Sequence, residues 1–174
     1  MSLHPAAPRT LAVAFYKGTR PGVAGLYNRL GRFLDRGPYS HCELLFSDGA
    51  SASSSFLDGG VRFKAIGYSS ENCWDFFELT QVLRSAVALQ AAESRARGWF
   101  VDHMGLPYDV WGNIRFACGF ARDSADAWFC SEAVAAALGF ADPFRYGPNG
   151  LHSHLQDWQW AVQDRQDREV ANPR

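Results

Sequence analysis

The sequence predicts an α+β fold, a small antiparallel sheet packed against helices. Two turn signals, Asp48-Gly49 and Asp58-Gly59-Gly60, divide a stretch of alternating character into three short runs, the mark of an antiparallel meander. The segments that follow are long, periodic and alanine-rich, which suits helices. Helix, then meander, then helices is also not the βαβ alternation that builds a parallel sheet.

Taken in order, "TLAVAFYKG" is a short apolar run ended by Lys17-Gly18 and predicts a strand. "PGVAGLYNRLGRFLDRGP" opens on Pro21, carries Val23, Leu26, Leu30, Phe33 and Leu34 at helical spacing, and closes on Gly37-Pro38. The meander spans roughly 39–47, 50–57 and 60–67, and "CWDFFEL" (73–79) predicts a fourth strand after the first. "TQVLRSAVALQAAESRARGWFVDHMG" predicts a long helix capped by Thr80 and stopped near Gly105 and Pro107. A shorter helix follows "LPYD", another runs from Cys130 through "SEAVAAAL", and a last one covers "PNGLHSHLQDWQWAVQ". The charged end, 164–174, is expected to fray. One domain over 1–174 is predicted, with its core in about 10–163.

The 174 residues are 47% hydrophobic, ample for one core. A net charge of −1 argues against a nucleic-acid surface. No apolar run reaches the ~20 residues of a membrane span, and "MSLHPAAPRTLAVAFYKG" lacks the pattern of a secretory signal. The expectation is a chain that is cytoplasmic as synthesised, with no cofactor. Nothing in the sequence sets an oligomeric state. Six tryptophans and thirteen phenylalanines are read as core, with the wall of a substrate groove as the alternative.

Cysteines 42, 73, 118 and 130 form no CxxC pair, so free thiols are expected. No metal site is predicted: a set made of His41, Cys42 and Cys73 lacks zinc-type spacing. Cys130 stands apart because a helix begins there. A helix N-terminus lowers a thiol pKa, and its unpaired N–H groups suit the oxyanion formed when a thiolate attacks a carbonyl. Core packing is the competing reading for Cys130 and the default for the other three.

A base is sought among five histidines. His4 lies in the first few residues, His103 near a helix end, and His152 and His154 two apart on the last helix. His41 begins a strong strand, with Glu43 and Leu45 on its own face and Cys42, Leu44 and Phe46 on the other. The Cys42 face is expected to be buried and the His41/Glu43 face to be polar at one end.

"SHCELLF", then "LPYDVWGN", then "WFCSEAVAAAL" resemble the circularly permuted NlpC/P60 group of papain-like cysteine hydrolases. That group includes the YiiX-like proteins and the lecithin:retinol acyltransferase family, and proteins of this look occur in phage and prophage genomes. The histidine strand precedes the cysteine helix, which marks the permuted set, and the resemblance covers about residues 10–140. It implies a papain-like fold, with Cys130 as nucleophile and His41 as base and then acid. It also implies a peptide or acyl substrate, with a cell-wall peptide foremost. A lipid acyltransferase or deacylase is the alternative, and a phage-particle component, catalytic or not, is a further possibility.

The family's third polar residue falls in "GASASSSF", which offers only serines. A two-residue turn at Asp48-Gly49 puts Ser54 across from Glu43, whereas a three-residue loop puts Ser53 and Ser55 on that face. Glu43, two residues from His41 on the same side, is the first choice to orient the imidazole, with Ser53 behind it as orienter or substrate contact. Tyr108 matches a tyrosine that the family carries near the oxyanion and is the candidate substrate-side donor. Asp109 is read as a helix N-cap, and Glu132 as stabilising the first turn of the Cys130 helix.

Overall fold

The computed structural model describes residues 7–19, 32, 35–68, 73–110 and 126–171. The helix expected over 21–38, the shorter one after "LPYD", and Cys118 fall wholly or largely outside these residues. Among the described residues, five strands form one antiparallel sheet: β1 (Ala12–Tyr16), β2 (His41–Leu45), β3 (Ala50–Ser55), β4 (Gly60–Ala65) and β5 (Trp74–Glu78). Their order is β4-β3-β2-β1-β5. Three α-helices follow among the described residues: α1 (Ala86–Asp102), α2 (Cys130–Ala137) and α3 (Pro148–Ala171). The α+β prediction and its strands therefore hold.

Cross-strand pairing fixes which side chains share a face. Phe15 lies opposite Cys42 and Val13 opposite Leu44, and Leu44 lies opposite Ala52. This face forms the core with α2, whose Ala133, Val134 and Ala137 are buried on it. Small residues on both sides, Ala52 on the sheet and alanines on the helix, allow a close approach. Ala92, Ala96 and Phe100 of α1, with Leu151 and Leu155 of α3, complete the core. The other face carries Tyr16, His41, Glu43, Arg62 and Trp74.

The β2–β3 loop is the three-residue form. Phe46 N–H donates to the Ala50 carbonyl at 2.9 Å, and Gly49 takes a positive φ of 86°. This is the register that sets Ser51, opposite Leu45, on the Glu43 face together with Ser53 and Ser55. The serine-rich β3 is buried, and its hydroxyls have work to do. Ser51 meets the Tyr68 hydroxyl at 2.7 Å, Ser53 donates to the Cys42 carbonyl at 2.7 Å, and Ser54 donates to the Trp128 carbonyl at 2.6 Å. The last of these ties the lead-in of α2 directly to the sheet.

Two expectations need correction. Thr80 does not cap the long helix. Leu79–Gln81 is a short 3₁₀ turn, because Leu79 is buried and its N–H still bonds the Leu11 carbonyl at 3.0 Å. The helix starts at Ala86, where the Ser85 side chain accepts the Ala88 N–H at 3.0 Å. The charged end does not fray from 164, since α3 continues to Ala171 with a Gln163–Asp167 hydrogen bond and an Arg168–Asp164 ion pair along it. The His41/Glu43 face is polar at one end as expected, and Glu43 is buried within it at 1% exposure.

The segment carrying Tyr108 joins β4 to the mouth of α2. Val61 N–H bonds the Leu106 carbonyl and Gly105 N–H bonds the Val61 carbonyl, both at 2.9 Å. Trp128 N–H bonds the Pro107 carbonyl at 3.0 Å, and Asp109 N–H bonds the Trp128 carbonyl at 3.1 Å. Gly60 makes this possible: its φ is 152°, and a Cβ there would collide with the Leu106 carbonyl oxygen. Gly60→Ala is accordingly predicted to destabilise the fold by at least about 1–3 kcal/mol, the usual cost of such backbone strain before the collision is counted. Urea unfolding checks it; a variant of unchanged stability would show that this strand-like contact is absent.

Candidate active site

Cys130 is the first residue of α2, and Phe129 at the N-cap has an extended φ,ψ of −98°, 168°. Phenylalanine supplies no capping acceptor, so the first-turn N–H groups are not closed off by the cap side chain. Glu132 reaches back instead: its Oε2 accepts the Phe129 N–H at 3.3 Å, the reciprocal half of a capping box. This is the stabilising role expected of Glu132. The helix mouth is thus held by Glu132 and, through the Trp128 carbonyl, by Ser54.

The structure brings Cys130 and His41 together. The imidazole donates to the Cys130 sulfur, while His41 Nε2 lies 2.7 Å from Glu43 Oε1. With Nε2 held by the carboxylate, Nδ1 is the nitrogen left for the sulfur. The chain continues beyond Glu43. Arg62 donates Nη1 to Oε2 at 2.7 Å and Nη2 to Oε1 at 2.5 Å, a two-pronged guanidinium–carboxylate pair. Arg62 Nε in turn meets Asp58 Oδ2 at 2.9 Å, and Lys64 Nζ meets Asp58 Oδ1 at 2.7 Å.

These contacts set the ionisation of the site. Burial works against a charged His41, yet the Cys130 thiolate and the hydrogen bonds to Cys130 and Glu43 outweigh it and raise the imidazole to about 9. For Cys130 the largest influence is the hydrogen bond from the Cys42 thiol. Burial opposes it, but with the charge and hydrogen bond of His41 the sulfur is held well below the usual cysteine value. Burial would raise Glu43, and the hydrogen bonds from Arg62 and His41 bring it below 4.5 instead. Its contribution to stability is therefore in place above about pH 4.5 and lost as pH falls through the lowered value. A thiolate facing an imidazolium, backed by a carboxylate, can attack an electrophilic carbon and return a proton to a leaving group.

The other candidates are placed as follows. Tyr108 forms a bridge with Trp128, two residues before Cys130, and its ring packs edge-on to Phe56 at 5.9 Å. Ser53 is fully buried with its hydroxyl on the Cys42 carbonyl. Its hydroxyl is spent on backbone carbonyls rather than on His41. Asp109 is buried beside Trp128, and the helix it was expected to cap lies outside the described residues. His103 stacks on Trp99 at 4.0 Å, His152 sits between Phe15 and Tyr39, and His154 packs on Phe140. Cys130 itself is 2% exposed, and the His41 side chain 14%. A cavity of about 210 Å3 adjoins the polar chain, lined by Glu43, Ser55, Asp58, Arg62, Lys64 and Trp74 among others.

Two participants were missed from sequence. Arg62 alternates with Val61 and Phe63, which places it on the Glu43 face, a signal present in "GVRFKA" once β4 is recognised. Cys42 was read as packing alone, although alternation turns it toward the helix that carries Cys130. No family model matches the chain, and neither does any curated protein or solved structure.

The Glu43–Arg62 pair should carry much of the site's rigidity. Arg62→Leu alone is predicted to cost about 3–5 kcal/mol, since it strands a buried carboxylate. Adding Glu43→Leu should restore a large part of that loss. Denaturant unfolding of the single and double variants checks both. A cost below about 1 kcal/mol for the single variant would contradict the pairing.

Proposed function

We propose that this chain is a thiol hydrolase that cleaves an amide or ester bond through Cys130 and His41, on a papain-like fold of permuted order. The observation that carries this reading is the unbroken polar chain from the Cys130 sulfur through His41 to buried Glu43, starting at a helix N-terminus. The order of strand then helix, and the packing of α2 on the antiparallel sheet, support the permuted fold. Resemblance favours a cell-wall peptide as substrate, in a bacterial or phage setting, with an acyl ester as the alternative on the same machinery.

In this mechanism the Cys130 thiolate attacks the substrate carbonyl carbon. The developing oxyanion is met by first-turn N–H groups of α2, with the Tyr108 phenol as the candidate second donor. Nδ1–H of His41 then protonates the leaving amine or alcohol. The neutral imidazole next takes a proton from water, which releases the acyl group and restores the thiolate. Glu43 keeps the ring in one tautomer and offsets its charge, and Arg62 keeps Glu43 ionised and in place.

The 2% exposure of Cys130 favours a second reading, a structural or binding module in which the polar chain only locks α2 to the sheet. Alkylation separates the two. Iodoacetamide at pH 6 should label Cys130 much faster than Cys73, because only a poised thiolate reacts there; uniformly slow labelling supports the module.

Hydrolysis on a panel of muropeptides and acyl esters should fall on the order of 10²–10⁴-fold in His41→Ala and vanish in Cys130→Ala. Full activity in Cys130→Ala would reject the mechanism. The pH profile should hold through neutrality and decline near pH 9, where the imidazolium that protonates the leaving group is lost. A profile still rising through pH 9 would contradict the assignment.

A further inference from the structure

Cys130 does not face His41 alone. The sheet register turns Cys42 to the face on which α2 packs, opposite Phe15, and both cysteines belong to the same buried cluster. Both the thiol and the backbone N–H of Cys42 bond to the Cys130 sulfur. One thiol stands on a sheet strand and the other at the mouth of the helix packed on that strand's core face, so the two share one buried seam. A disulfide between them brings the sulfurs to ~2.05 Å.

Exposure gives the pair an order of events. Cys42 is fully buried, while Cys130 keeps 2% exposure beside the partly exposed His41 ring. A small, uncharged oxidant therefore reaches Cys130 first. Ser53 holds the Cys42 backbone through its carbonyl at 2.7 Å.

We infer that Cys130 and Cys42 are a redox pair, in which a hydroperoxide oxidises Cys130 and Cys42 closes the product into an intramolecular disulfide. The inference rests on the reading of Cys130 as a reactive thiolate. In the first step the Cys130 thiolate attacks one peroxide oxygen, the O–O bond breaks, and the departing hydroxide takes the His41 proton to leave as water. Sulfur is oxidised to the sulfenic acid and the peroxide is reduced. In the second step the Cys42 sulfur attacks the sulfenic sulfur, the S–O bond breaks, and hydroxide leaves with the Cys42 proton as a second water. Burial is the main influence that holds Cys42 protonated, and oxidation removes the next, the hydrogen bond and charge of the neighbouring thiolate. A dithiol reductant reopens the bond by exchange. The disulfide consumes the nucleophile, so the same step switches hydrolysis off reversibly and shields Cys130 from further oxidation.

The test uses the full chain, hydrogen peroxide at neutral pH, alkylation under denaturing conditions and peptide mass mapping. The wild type should lose two of its four alkylatable thiols together. The cross-linked pair should join the tryptic peptide of residues 37–62, holding Cys42, to that of 123–145, holding Cys130. Dithiothreitol should restore both thiols. In Cys42→Ser the Cys130 peptide should instead gain two or three oxygens and resist dithiothreitol.

Cys130 driven to the sulfinic state in wild type with Cys42 still reduced would overturn the inference, as would linkage of Cys130 to Cys73 or Cys118. The wild-type map decides the matter even if Cys42→Ser fails to fold. The readout is the cross-link and not turnover. A protein that forms the bond but hydrolyses nothing retires the hydrolase reading alone, and a hydrolase that never forms it retires this one.

Discussion

A carboxylate on an inner strand of a sheet, 1% exposed, cannot stay ionised unless something opposite in charge is buried with it. Glu43 has that partner in the two-pronged contact from Arg62, and most of the site's organisation follows from this pair. Arg62 comes from β4, across β3 from Glu43, so the small serine Ser53 between them is what lets the guanidinium reach. Asp58 and Lys64 continue the alternation of charge toward solvent, which limits the cost of burying the inner two. Held at its far side by Arg62, Glu43 has one direction left for Oε1, toward His41.

The helix answers to the same sheet from the other face. Ser54 fastens the Trp128 carbonyl, and Pro107 and Asp109 bracket the same residue, so α2 begins at a fixed point above β2 and β3. Adjacent serines on β3 thus point in opposite directions with opposite tasks. Ser53 clears space for the polar chain and Ser54 positions the helix that ends it. Cys42, between His41 and Glu43 in sequence but on the other face, reaches the Cys130 sulfur from the sheet side. The Cys130 sulfur therefore has three donors, the Cys42 thiol, the imidazole and the Cys42 N–H, and each favours the charged form over the neutral one.

Most strands were legible because their turns are chemical events: Asp48-Gly49 and Asp58-Gly59-Gly60 demand positive φ, and Gly49, Gly59 and Gly60 adopt it. The register of β2 against β3 was legible only as two alternatives, since loop length is not written in composition. The Thr80 cap failed because a nearby capping residue was judged by local preference. Tertiary burial of Leu79 instead makes Leu79–Gln81 a 3₁₀ turn, and the helix waits for Ser85 to cap it. Cys130, His41 and Glu43 could be named from position on a helix mouth and a strand. For Arg62 the alternation in "GVRFKA" gave the face alone, and nothing local reveals that a carboxylate two strands away lies on it without a counter-charge. The burial of that face was hidden for the same reason: it depends on the Tyr68 loop folding over Ser51, Trp74 and Phe76.

The central claim is that sulfur and imidazole share a charge separation at neutral pH, stabilised from behind by Glu43. Titration of the His41 ring by ¹⁵N nuclear magnetic resonance measures this directly, in the wild type and in Cys130→Ser. The account predicts a ring doubly protonated at neutral pH that titrates near 9, and a lower value once the thiolate is replaced by a neutral hydroxyl. A His41 already neutral at pH 7 in the wild type, or one unmoved by Cys130→Ser, would contradict it.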